Sequence, residues 1–85
     1  MDSAARWYEL QRRGLGREFV LCVENSFDSI RHYPEAYLSV ADQFRRALVR
    51  RFPYVVYFRV DGQRIKVYAV LHTHRHPDEW KKRTA

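Results

Sequence analysis

Only one cysteine, Cys22, occurs in the chain, and a lone cysteine excludes an internal disulfide framework. The fold must hold by packing alone, as in cytosolic proteins. Cys22 falls inside the apolar run Phe19-Val20-Leu21-Cys22-Val23 and reads as a small buried hydrophobe. Long apolar runs are also missing. The strictly apolar stretches are too short to cross a bilayer, and the first residues, Met1-Asp2-Ser3-Ala4-Ala5-Arg6, contain no apolar signal core. Both absences point to a cytoplasmic protein without a membrane partner. Three glycines and three prolines are too few for a low-complexity chain, and no internal repeat is present. Acid is scarce in the second half, where only Asp61, Asp78 and Glu79 carry negative charge.

What is present is a small globular composition. Hydrophobic residues make up 46% and charged residues 31% of 85 residues, which excludes simple disorder. A single domain over residues 1–85 is expected, burying roughly 60–65% of its unfolded surface. That leaves room for one thin core and none for a deep enclosed active site. The net charge is +6, and its distribution is uneven. Residues 1–42 carry five basic groups against seven acidic ones, while residues 43–85 carry eleven against three. A basic half on a balanced chain suggests an anionic partner. Most of these cations are arginine, whose planar fork matches carboxylate and phosphate.

Periodicity places two helices first. One begins at an Asp2 or Ser3 cap and runs to Arg13, with Ala4, Ala5, Tyr8 and Leu10 facing inward. Gly14-Leu15-Gly16 breaks it. The next spans residues 17–31, because Phe19, Val23, Phe27 and Ile30 recur at spacings of four, four and three, and Pro34 ends it. Residues 35–42 read as a connecting loop. Three strands follow, at residues 44–52, 54–60 and 64–74, the last two joined by an Asp61-Gly62 hairpin. Residues 77–83 form a polar tail. The expected fold is α+β: an N-terminal helical hairpin packed on an antiparallel three-stranded sheet.

Alternation along the strands predicts two faces. Ala47, Val49, Tyr54, Val56, Phe58, Val60, Ile65, Val67, Ala69 and Leu71 would face the helices. The opposite face would show Arg46, Leu48, Arg50, Val55, Tyr57, Arg59, Lys66, Tyr68, Val70, His72 and His74, a basic and aromatic surface.

Four stretches, WYELQRRGLGREF (residues 7–19), FRRALVRRFPYVVYFRV (44–60), VYAVLHTHR (67–75) and PDEW (77–80), together resemble the RelE/ParE toxin superfamily in its ParE-like, plasmid-stabilisation branch. The resemblance covers nearly the whole chain. It implies the toxin of a type II toxin–antitoxin system, with a β-α-α-β-β-β fold and a cognate antitoxin as partner. This chain begins inside the first helix of that pattern, so the usual N-terminal strand is absent. The expectation is an exposed sheet edge that can pair with a second copy, giving a homo-oligomer, or with an antitoxin strand.

The resemblance implies two targets. ParE-like members poison DNA gyrase; RelE-like members cut mRNA on the ribosome without a metal. Cleavage would need phosphate-holding arginines and a proton donor or acceptor, here Arg46, Arg59 and Arg75 with His72 or His74. Cleaving relatives tend to carry an arginine where this chain has Val55, and a late tyrosine near Trp80. Gyrase is therefore the favoured target. The alternatives are an mRNA endoribonuclease and a degenerate module that binds antitoxin without toxicity. On any of these readings the contact residues are Arg46, Arg50, Tyr57, Arg59, Tyr68, His72, Arg75 and Trp80. His72, His74 and His76 alternate in a way that suits a transition metal, but Arg75 would repel a cation, so neither metal nor cofactor is expected.

Overall fold

A computed structural model describes residues 2–41 and 43–73. Helix α1 spans Asp2–Gln11 and helix α2 spans Leu15–His32. A 3-10 turn at Pro34–Ala36 leads to four strands: β1 Leu38–Ala41, β2 Phe44–Leu48, β3 Tyr54–Asp61 and β4 Arg64–His72. They form one antiparallel sheet in the order β1-β2-β3-β4. The class is α+β as expected, with one strand more than the sequence suggested.

The helical hairpin follows from its glycines and one carboxylate. Gly14 takes the left-handed conformation, φ 88°, that turns the chain between the helices. The α2 N-terminus lacks a capping side chain of its own at Gly14. Glu9 reaches across from α1 instead: its carboxylate accepts the backbone N–H groups of Gly14 and Gly16, each at 3.0 Å. These two bonds, Gly14 first, hold the Glu9 carboxyl below the ordinary range, because the ionised form accepts them better. The carboxylate is thus a cap supplied from the preceding helix. A lowered folded value means that the contribution of Glu9 to stability is present above the ordinary glutamate value near 4.5. It is lost as pH falls through the lowered folded value. Glu9→Gln should therefore melt below wild type at neutral pH, and the two melting curves should converge on acidification. A gap of constant size down to strongly acid pH would show that the charge is not what matters.

Helix α2 buries Phe19, Val23, Ser26 and Ile30, a helical face at spacings of four, three and four. Ser26 tolerates burial because its hydroxyl donates to the Cys22 carbonyl at 3.1 Å. Pro34, lacking an N–H, stops the helix, and Tyr33 donates the last bond to the Ser29 carbonyl at 2.9 Å. Ala4, Ala5 and Tyr8 pack from α1 onto this core, with Cys22 partly buried beside them. Leu10, expected inside, is 84% exposed, because α1 ends one residue later and its inward face is complete with Tyr8. The core floor comes from Ala47, Val49, Val56 and Phe58. Glu18 ties the two turns at one end of the fold, pairing with Arg12 at 3.0 Å and Arg51 at 3.8 Å.

Two expectations about the sheet need correction. The segment read as a loop at residues 35–42 contains β1, whose four residues are mostly exposed and therefore show no burial alternation. The strand read as residues 44–52 stops at Leu48, since Arg51 adopts φ 74° and Phe52-Pro53 turn the chain into β3. Backbone N–H of Val49 still closes this turn on the Tyr54 carbonyl at 2.8 Å.

Candidate functional site: the open face of the sheet

Register decides what the open face carries. Across β2, β3 and β4 the cross-strand partners include Ala47–Val56–Val70, Arg46–Tyr57–Ala69 and Phe44–Arg59–Lys66. Val56 belongs to the core under the helices, so Ala47 and Val70 point there too. The neighbouring rows, with Arg46, Tyr57, Ala69, Phe44, Arg59 and Lys66, point away from the helices. A further row on that side pairs Leu48 with Val55 and Val55 with Leu71. Strand β1 adds Leu38 opposite Arg46 and Ala41 opposite Phe44.

The register between β3 and β4 shifts at Tyr57/Phe58, where partner numbering jumps from Ala69 to Val67 across Tyr68. A one-residue bulge reverses every later side chain. Ile65 remains on the helix side, packed against the core, and Val67, opposite Phe58, shares that side. Beyond the bulge Ala69 and Leu71 appear on the open face, contrary to the alternation reading, and Val70 and His72 move to the helix side. His72 stands opposite Tyr54, ring centroids 5.2 Å apart, and Tyr54 in turn packs on Phe19 at 4.9 Å.

The open face is thus graded. Phe44, Ala69 and Leu71 form a small buried cluster backed by Ala41, Tyr57 and Tyr68, and Val55 is buried among its neighbours. The Phe44 and Tyr68 rings meet edge to face at 4.9 Å. At one end stand the cations. Lys66 Nζ lies 5.7 Å from the centre of the Tyr68 ring. Arg59 is half-buried, and its Nε is buried with no hydrogen-bond partner among the described residues. At the other end Leu48 is 70% exposed, and on the β1 edge Leu38, opposite Arg46, is 63% exposed.

Of the residues singled out from sequence, Arg46, Tyr57, Arg59 and Tyr68 come together on this face, with Lys66. Arg50 stands apart: it lines a depression of about 350 Å³ between α2 and the end of β2, with Asn25, Ser29 and Tyr37. His72 is on the opposite side of the sheet. His74, Arg75, His76 and Trp80 lie outside the described residues. Arg45, beside Arg46 in sequence, faces the helices and donates to the Tyr37 carbonyl at 2.7 Å. Leu38, Phe44, Ala69 and Leu71 were not foreseen here. Strict alternation would have placed Phe44 opposite Ala47, and the other three depend on the unseen strand and the bulge. Among the described residues no group of three or more histidine, cysteine, aspartate or glutamate side chains is placed to hold a metal, and no helix is long and apolar enough to cross a membrane.

A helical hairpin thus covers one side of an antiparallel sheet, and the other side presents a shallow basic and apolar face. The family model for the ParE toxin of type II toxin–antitoxin systems, parDE, matches residues 1–77, and the chain belongs to this family. No curated protein and no solved structure matches the chain. Membership makes it the toxin of a toxin–antitoxin pair and implies an antitoxin partner.

Proposed function

We propose that this toxin acts on DNA gyrase, in the cytoplasm, and that a cognate antitoxin silences it by engaging its basic half, with Arg46, Tyr57, Arg59 and Tyr68 as contact residues. One observation carries the choice of target. Of the side chains that a nuclease would need together, those described stand on opposite sides of the sheet: Arg46 and Arg59 share a face with Tyr57, whereas His72 shares one with Tyr54. A proton-exchanging imidazole has to lie within hydrogen-bond reach of the reacting group, and here the sheet intervenes. Val55, at the position where cleaving relatives carry arginine, is buried and apolar. It offers no charge to a transition state.

The expected result of expression without antitoxin is growth arrest with filamentation and DNA-damage signalling. Purified toxin should inhibit gyrase supercoiling while leaving mRNA intact in a cell-free translation reaction. Rapid mRNA cleavage at ribosomes with supercoiling unaffected would replace this reading by the nuclease one. Arrest in neither assay would identify a module that binds antitoxin and has lost its toxicity.

A further inference from the structure

Beyond Arg46, strand β2 has no neighbour on its β1 side, because β1 begins at Leu38, opposite Arg46. Leu48 and Arg50 stand past the covered edge, and a depression of about 350 Å³ opens between them and α2. Its α2 wall is one helical face, with Cys22, Asn25 and Ser29 at spacings of three and four. Tyr37 closes one side and is held at three points. Its ring packs on Phe58 with centroids 5.7 Å apart, its carbonyl accepts from Arg45 at 2.7 Å, and its hydroxyl donates to Ser29 Oγ at 2.6 Å. The Ser29 hydroxyl thereby keeps its own proton to donate. Asn25 and Arg50 make no side-chain hydrogen bond or ion pair among the described residues, where the ion pairs are those of Arg12, Arg31 and Arg51. No carboxylate among the described residues lines the depression. The α2 acids Glu24 and Asp28 line a separate one, together with Arg31.

We propose that this depression binds a small amphipathic carboxylic acid, with the carboxylate on Arg50, Ser29 and Asn25 and the apolar body against Tyr37, Leu48 and Cys22. The donors select the charge. Three groups that can donate line one depression, and one of them is a full cation. A guanidinium fork meets a planar carboxylate through two parallel hydrogen bonds. The walls select the body. A bare inorganic anion would leave Leu48, 70% exposed, still in water, whereas a ring or branched chain would cover it. The volume selects the size. Small-molecule sites run from about 300 to 1,000 Å³, so this one suits a single ring or branched chain rather than a peptide. Arg50 stands apart from Arg46, Arg59 and Lys66 of the open face, and the proposal does not rest on the gyrase reading.

The test titrates three probes into the isotopically labelled full chain at neutral pH: benzoate, its neutral amide benzamide, and inorganic phosphate. Benzoate should shift the amide resonances of Asn25, Ser29 and Arg50 saturably, with a Kd on the order of 1 mM. Benzamide, which has the shape without the charge, should bind about tenfold more weakly. Arg50→Gln removes the cation at an exposed position outside the core, so the variant should fold, and it should weaken benzoate by about tenfold or more. Leu48→Ser should weaken benzoate several-fold by stripping the apolar wall. Arg31→Gln makes the same change of net charge in the neighbouring depression and should alter benzoate affinity by less than about twofold. Equal losses from Arg50→Gln and Arg31→Gln would reduce the binding to net charge and overturn the proposal. So would phosphate binding more tightly than benzoate, benzamide matching benzoate, or shifts that still rise without saturating at about ten times the expected Kd.

Discussion

Phe19→Ala is expected to remove a large share of the stability of the chain, about 3–5 kcal/mol. Phe19 is fully buried, and its ring meets Tyr8 and Phe52 at 5.2 Å and Tyr54 at 4.9 Å. It is therefore the contact shared by α1, α2, the β2–β3 turn and β3. Removing a buried phenylalanine ring costs about 3–5 kcal/mol in lost transfer energy and residual cavity. Domains are stable by roughly 0.05–0.15 kcal/mol per residue, or about 4–13 kcal/mol at this length. The loss is a large share of the whole, and four separate elements cannot all move in to fill the space. Phe19→Leu, which keeps most of the volume, should cost much less, within about 1.5 kcal/mol. Urea unfolding of the three proteins would measure this. An alanine variant within 1 kcal/mol of wild type (roughly the median effect of a point mutation) would show that the ring is not the keystone of the core.

Gly16→Ala should lower the melting temperature by roughly 5–10 °C, although alanine is the better helix former by up to about 1 kcal/mol. A methyl group at Gly16 would stand 2.5 Å from the Ala5 carbonyl oxygen and 3.1 Å from Glu9 Cβ. The nearer obstacle is backbone, so no rotamer relieves it and the two helices must move apart. That movement also pulls the Glu9 carboxylate from the two N–H groups it caps. Overpacking costs of about 1–3 kcal/mol outweigh the propensity gain. Gly14 provides the contrast. It has open space around it but φ 88°, so Gly14→Ala meets only local backbone strain and should be corrected by Gly14→Asn, which tolerates that conformation better. No such rescue should exist at position 16. A Gly16→Ala protein as stable as wild type would mean that the helices approach less closely than the backbone contact indicates.

The parts of this fold that were legible in the sequence are those governed by a single period. The helical hairpin was visible because Phe19, Val23 and Ile30 repeat on one face and Gly14 and Pro34 punctuate it. The β3 faces were visible because Val56 and Phe58 alternate with Val55 and Tyr57. The grouping of Arg46, Tyr57, Arg59 and Tyr68 followed from the same rule. What failed was whatever depends on pairing rather than on pattern. Leu38–Ala41 is short and exposed at the sheet edge, so it looked like a loop until β2 was there to bond with it. The bulge at Tyr68 inserts one residue that periodicity cannot register, and it moved Ala69, Leu71, Val70 and His72 to the face opposite the one predicted. The consequence for function was direct, since His72 left the arginines with which it had been grouped.

The strand order β1-β2-β3-β4 repeats the order of the chain. Each strand pairs with the one made just before it, so the sheet grows by successive hairpins, while the helices find their floor when Tyr54 and Phe58 of β3 arrive. Folds dominated by such near-neighbour contacts assemble quickly, and they can do so from the N-terminus onward while the rest is still being synthesised. For a chain of this family, little time separates the completion of β4 from a finished open face.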